Sequence, residues 1–263
     1  MGNYETILTD SHDGILIITL NRPAARNAMS SQMMKEFSDE LERWDNDHTE
    51  RVCIITNTGT CFCAGADLKE LAAGTYHLPE GKEDWGLLGM SQHQFKKPLI
   101  AAVNGVCVGG GMGILLACDL AVCSDHSVFG LPEARRGRAS TGDGAILRLM
   151  QQIPHRYAAE LVLVGDNITA DQAERWGLVN RSVPESELMP TVLRFAQGIV
   201  ASAPLAIEYS KAAMKEAAAE NDLFPGRGWD IMDHYQELVN ATEDAEEGPK
   251  AFSEKRPPVW KGR

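Results

Sequence analysis

Residues 14–20 (GILIITL) and 52–57 (VCIITN) are short apolar runs rich in β-branched side chains, the pattern of buried strands. Asn21-Arg22-Pro23 closes the first and Thr58-Gly59 the second. Between them the period changes. Met33, Met34, Phe37, Leu41 and Trp44 recur at helical spacing over residues 30–45, with Ser30 or Ser31 as N-cap. Strand, helix, strand in that order predicts a parallel pair with a right-handed crossover. Residues 61–71 (CFCAGADLKEL) predict a small-residue loop running into a helix. Residues 74–89, rich in Gly, Pro and charge, read as an exposed, mobile excursion, and residues 91–97 as the end of a helix.

Residues 98–103 (PLIAAV) predict the next buried strand, and residues 112–117, apolar on every side, a buried helix. Short strands are expected at 120–123, 128–130 and 178–183, and helices at 146–153, 157–164, 170–176 and 187–202. From Pro204 onward only helical patterns remain, at 205–219, 229–240 and 245–255. The chain is expected to form an α/β core over residues 1–200 with the active site. Residues 201–263 would form a C-terminal helical region.

Gly109, Gly110 and Gly111 lie between the strand at 98–103 and the buried helix. Glycines bare the backbone N–H groups that the first helical turn leaves without intrahelical partners, and the helix dipole favours negative charge there. The result is a socket for an anion or a developing oxyanion; tight helix–strand packing is the competing reason for the triplet. Gly65, in Ala64-Gly65-Ala66-Asp67-Leu68, occupies a second strand-to-helix turn. Turns that follow parallel strands fall at one sheet edge, where two N–H groups can converge. Neither loop fits a dinucleotide or phosphate-loop fingerprint, and no nucleophile elbow or zinc-binding HExxH is present.

Charge narrows the partners. The formal net charge of −12 argues against nucleic acid and against an acidic membrane surface. Cys53, Cys61, Cys63, Cys107, Cys118 and Cys123 lie mostly in apolar runs, and Cys61-x-Cys63 lacks a second pair at ligand spacing. No metal is expected, and reduced cysteines with no basic, apolar leader predict a cytoplasmic location.

These segments together resemble the enoyl-CoA hydratase/isomerase, or crotonase, superfamily. The resemblance rests on residues 20–28 (LNRPAARNA), 62–68 (FCAGADL), Lys97-Pro98 through Asn104-Gly105, Gly109-Gly110-Gly111, and Cys118-Asp119. It continues at residues 129–133 (FGLPE) and at Ala251-Phe252 with Glu254-Lys255-Arg256. It implies a core of ββα units wound into a superhelix with parallel sheets, and C-terminal helices that assemble a trimer or a dimer of trimers. It implies an acyl-CoA thioester as substrate and no separate cofactor, coenzyme A being part of the substrate. The Ala66 and Gly110 N–H groups would hold the thioester carbonyl and Glu133 would move the proton. Arg22, Ala24, Arg26, Ala64, Asp67, Leu68, Phe252 and Lys255 would hold the CoA.

One position departs from the pattern. Family hydratases carry a second glutamate three residues beyond the middle glycine, where this chain has Gly113. A single glutamate suits double-bond isomerisation, and Asp143 is a candidate second acid. Asp143 falls within about one residue of an aspartate carried by related dienoyl-CoA isomerases. Arg135, Arg136 and Arg138 could face a carboxylated acyl chain, although three of four consecutive residues cannot all point inward. The alternatives are a diverged member (C–C hydrolase or thioesterase) and a non-catalytic acyl-CoA-binding protein.

Overall fold

The computed structural model describes residues 4–202, 204–219, 237, 240, 241, 243–256 and 259. Two sheets share the core. The larger has strand order β1 (Ile7–His12), β2 (Ile15–Leu20), β3 (Val52–Asn57), β5 (Leu99–Val103), β7 (Leu120–Ser124) and β10 (Arg181–Val183). All neighbours in it pair parallel except β1 with β2. The smaller sheet runs β4 (Cys61–Cys63), β6 (Val106–Val108), β8 (Val128–Gly130) and β9 (Ile168–Thr169), parallel up to its last, antiparallel pair.

The chain alternates between the sheets. Each of β3, β5 and β7 is followed within a few residues by β4, β6 or β8 in the other sheet. The first two of these pairs lead directly into α2 (Leu68–Ala73) and α3 (Gly110–Ala117). This is the repeated ββα unit that the resemblance implies, and it stacks three strand-to-loop turns along one edge.

The period-2 geometry of β3 explains the packing. Cys53 and Ile55 point into the main core with Phe37, Leu41 and Trp44 of α1 (Ser31–Asn46). Val52 and Ile54 point the other way, under Leu188, Val192 and Ala196 of α7 (Glu185–Val200). The larger sheet is therefore covered on both faces, which is why its strands read as unbroken apolar runs. Ser30 caps α1 by accepting from Met33 N–H at 3.2 Å. All six cysteines are free and buried, with burial pushing the Cys63 thiol up to about 12.

Four expectations need correction. The strand leading into the glycine triplet is β6, in the smaller sheet, because Asn104-Gly105 turns the chain out of the larger one. β1 was not expected; its alternating burial makes it a half-exposed edge strand, turned into β2 by Asp13 and Gly14 with φ of 52° and 77°. Residues 74–89 are not a loose excursion throughout. Trp85, Leu88 and Met90 are buried, and Trp85 stacks on His93 with ring centroids 3.6 Å apart. Residues 91–97 are not helical, because Gln92 N–H donates to Trp85 carbonyl and the Lys96 N–H to the Asp45 carboxylate.

Helices α4 (Ala145–Gln152), α5 (His155–Ala159, continued by a π turn Glu160–Val164) and α6 (Ala170–Trp176) follow the site. α6 is closed by a Thr169–Gln172 capping box and by Gly177. α8 (Pro204–Ala219) is tied to the core by Lys211, whose Nζ lies 2.6 Å from the Asp119 carboxylate and 2.7 Å from the Lys97 carbonyl. The final helix, α9 (Glu243–Ser253), packs on α2 and on the turn Ala134–Arg136. The helix expected at 229–240 lies, apart from Glu237 and Asn240, outside the described residues. No single helix among the described residues is long and apolar enough to cross a membrane.

Candidate active site

The turn between β4 and α2 is strapped from outside by the loop before α1. Ala64 N–H donates to Arg26 carbonyl at 3.1 Å, Met29 N–H to Gly65 carbonyl at 2.8 Å, and Asp67 N–H to Met29 carbonyl at 3.0 Å. Those bonds use the amides on either side of Ala66, and the Ala66 N–H takes no part in them. Gly65 has φ of 96°, a conformation that glycine adopts without penalty. Asp67 caps α2, accepting from Lys69 N–H at 3.1 Å.

The strap itself hangs on Asn27. This buried residue accepts from Arg22 N–H at 2.7 Å and donates to Thr58 and Cys61 carbonyls at 3.0 and 2.7 Å. Asn27→Ala removes all three bonds, leaving the Thr58 carbonyl only a 3.4 Å contact from Asn57 Nδ2, and should lower unfolding free energy by about 2–4 kcal/mol. Chemical denaturation checks this; an unchanged midpoint would show that the strap does not depend on Asn27.

The β6–α3 turn meets the first turn backbone to backbone. A Cβ on Gly111 would lie 2.4 Å from Cys63 carbonyl oxygen, and one on Gly65 would lie 3.0 Å from Gly110 nitrogen. A Cβ on Gly110 would lie 3.5 Å from Ala66 nitrogen. The glycines thus serve both readings at once: they permit the close packing, and that packing brings the Ala66 and Gly110 amides side by side.

Two carboxylates stand over this pair. Glu133 follows β8 through Leu131-Pro132, and its Oε2 accepts from Ser140 Oγ at 2.8 Å. Its other oxygen lies 3.2 Å from where a Gly109 Cβ would be, so it rests against the amide turn. Burial, and then the nearby Asp143 charge, push the Glu133 pKa up to about 7. Asp143 is buried, with Oδ1 accepting from Ala145 N–H at 3.0 Å. Its Oδ2 lies 2.9 Å from the point where Gly113 would carry a Cβ. Burial raises its pKa too, opposed by the Arg148 cation. Arg148 is itself buried and donates to Asp143 and Ser91 carbonyls.

The two N–H groups and both carboxylates line one cavity of about 460 Å³. Its remaining wall is largely aliphatic, from Leu68, Leu71, Leu78, Leu87 and Leu88, with Tyr76. Such a cavity offers donors for an oxygen, acids for a proton, and an apolar lining for a chain.

A family model for enoyl-CoA hydratase/isomerase matches residues 10–263. The chain belongs to this family. It is 37% identical to enoyl-CoA hydratase EchA19 of Mycobacterium tuberculosis, over 97% of this chain and 96% of that one. It is 41% identical to a carnitinyl-CoA dehydratase of Salmonella paratyphi A, over 95% of each. The crystal structure of a carnitinyl-CoA hydratase from Mycobacterium avium superposes with a TM-score of 0.90 at 36% identity, covering 99% of this chain and 100% of that one. The crotonase fold expected from the motifs is therefore the fold of this enoyl-CoA hydratase/isomerase family member.

Of the residues that the motifs single out, Ala64, Ala66, Leu68, Gly110, Glu133 and Asp143 line the cavity. Gly65, Gly109, Arg136 and Arg138 line it as well, while Arg22, Ala24, Arg26, Asp67, Phe252 and Lys255 stand outside its lining. The Arg22 guanidinium is held by the Asp67 carboxylate at 3.1 Å and by Ala28 carbonyl. Ala24 and Arg26 are exposed on the strap, as is Lys255 near the end of the chain. The Phe252 ring lies 5.2 Å from the Arg136 guanidinium. Ser140, Arg148 and Leu88 shape the site and carry no motif. Leu88 has φ of 65° and reaches α3 at both Gly110 and Gly113. Nothing in its local sequence marks it.

Proposed function

We propose that this protein adds water across the double bond of a 2-enoyl-CoA, or removes it from the 3-hydroxyacyl-CoA, with Asp143 standing in for the acid missing at Gly113. The carrying observation is the Asp143 carboxylate oxygen, which lies 2.9 Å from a Gly113 Cβ position. A side chain branching from α3 at that point is replaced by one arriving from the loop before α4.

In this reading the thioester oxygen accepts from the Ala66 and Gly110 N–H groups. Charge that builds up on it as water attacks the β-carbon is met by donors already in place. The attacking water gives up its proton to the Glu133 carboxylate as the carbon–oxygen bond forms, and Glu133 returns that proton to the α-carbon of the resulting enolate. Glu133, with a pKa of about 7, is poised to act in either direction at neutral pH. Asp143 orients the water from the other side. Hydratase and dehydratase names among the relatives support lyase chemistry. From the sequence, one glutamate suits isomerisation and the overall family pattern suits hydration.

Exposed Leu205, Tyr209 and Met214 on α8 support an intersubunit face, as the trimeric assembly implied by the resemblance would require.

Incubating the purified protein with crotonyl-CoA and with a 3-enoyl-CoA tests the reading. Crotonyl-CoA should lose its conjugated thioester absorbance and gain the mass of one water. Shift of the double bond in the 3-enoyl-CoA without water uptake would make the protein an isomerase acting through Glu133. Binding of both without conversion would make it an acyl-CoA-binding protein.

A further inference from the structure

The segment after Glu133 carries three arginines that the chemistry above does not use. Arg135 is held by Asp166 at 2.6 Å and by Val164 carbonyl at 3.0 Å, and is exposed. Arg136 also lines the active-site cavity, but its guanidinium lies over the Phe252 ring and its charge reaches Glu133. Arg138 is different. It lines the active-site cavity and also an adjoining cavity of about 630 Å³ formed with α9. Its Nε is out of contact with water and makes no hydrogen bond. Among the described residues its guanidinium makes one long contact, Nη1 to Asn240 Oδ1 at 3.4 Å.

The backbone holds this side chain in place. Arg138 N–H donates to Glu133 carbonyl at 3.0 Å, and Gly137 before it takes a φ of 69°. Burial lowers the Arg138 pKa, and no described carboxylate pairs with it. A partly buried cation without a counter-charge is destabilising. In a chain with 37 acidic and 25 basic residues, a carboxylate partner could readily have been supplied. The described residues supply none, so among them the cation is available to something that enters the cavity.

We propose that Arg138 anchors an anionic group at the far end of the acyl chain, making the protein selective for CoA thioesters of dicarboxylic acids. This rests on the reading that the cavity holds an acyl-CoA. A CoA phosphate would bring the same chemistry, but placement favours the acyl chain. Arg138 shares the cavity with Glu133 and Asp143. Of the residues the resemblance assigns to CoA, Ala64 and Leu68 also line it, but the cationic ones, Arg22, Arg26 and Lys255, lie outside its lining. Guanidinium and carboxylate make paired, charge-assisted hydrogen bonds that a neutral chain end cannot offer.

Isothermal titration of the full-length protein with adipyl-CoA, hexanoyl-CoA and free CoA tests the assignment. The two thioesters have the same chain length and differ by the terminal carboxylate. Wild type should prefer adipyl-CoA by about tenfold or more. The ratio should fall to about one in Arg138→Met and be partly kept in Arg138→Lys. A wild-type ratio near one, or a preference that survives Arg138→Met, overturns the proposal. Equal weakening of free CoA and adipyl-CoA in Arg138→Met assigns the cation to a CoA phosphate and overturns it as well. Failure of wild type to bind any of the three would instead sink the acyl-CoA reading on which it rests. Should Arg138→Met fail to fold, the wild-type ratio and its change in Arg138→Lys decide.

Discussion

Replacing Glu133 by glutamine should lower the turnover of crotonyl-CoA by about 10²–10⁴-fold, the range for removing a positioned proton-transfer group. Ser140 can still donate to the amide oxygen, so the side chain keeps its place while losing its proton chemistry. The same substitution should make the protein more stable at alkaline pH. A carboxyl raised from 4.5 to about 7 binds a proton more tightly in the folded state than in the unfolded one. Its favourable contribution is therefore complete below pH about 4.5 and is lost as the pH rises to about 7. At pH 8 the buried charge opposes folding by up to about 3 kcal/mol, and glutamine removes that opposition. Thermal melts at pH 5 and pH 8 should show the variant gaining only at the higher value. In wild type, kcat/KM should show an ionisation near pH 7 that the variant lacks. A variant with full turnover would remove Glu133 from the chemistry.

Gly113→Glu, which restores the family's usual acid, should by itself damage the protein. The new Cβ would meet Leu88 Cδ1 at 2.8 Å and Asp143 Oδ2 at 2.9 Å, and a second carboxylate would be buried beside the first. Overpacking and like charge together should lower unfolding free energy by about 2–4 kcal/mol, with no gain in hydration rate. Combining it with Asp143→Gly vacates the space and the charge. The double variant should recover much of the lost stability and hydrate crotonyl-CoA faster than Asp143→Gly alone. That non-additivity is the signature of two residues sharing one place. Denaturation midpoints and initial hydration rates of the four proteins measure it. A Gly113→Glu protein as stable as its parent and faster in hydration would show that Asp143 does not fill this position. Asp143→Asn alone should slow hydration by about 10²-fold.

What could be read from the chain beforehand was what depends on local pattern. The two glycine turns and the Pro-Glu pair were visible because their geometry requires those residues where they stand. The buried strands were visible because both faces of the larger sheet are covered. β1 was legible in principle from Asp13-Gly14 flanked by alternating residues, but that alternation is weak at an exposed edge. Residues 74–97 were misread because glycine and charge dominate their composition, while Trp85, Leu88 and Phe95 decide their packing. The relation of Asp143 to Gly113 was out of reach. It depends on where two separate segments meet, and a missing side chain leaves no mark of what fills its space. The open guanidinium of Arg138 was hidden for the same reason, since its two neighbours look alike in sequence and differ only in what they touch.

The alternation of the chain between two sheets bears on how the site comes into being. The donors and acids sit on turns after β4, β6 and β8, whose pairing partners are distant in the chain. No single helix or hairpin contains two of the groups that must converge. Assembly therefore waits on the slow, non-local steps of folding, after loop-closure entropy has been overcome three times. Helical signal should return early in refolding and activity late. An intermediate with most of its secondary structure would have no partial site, because there is no partial arrangement in which the amides of the first two turns meet the acid of the third.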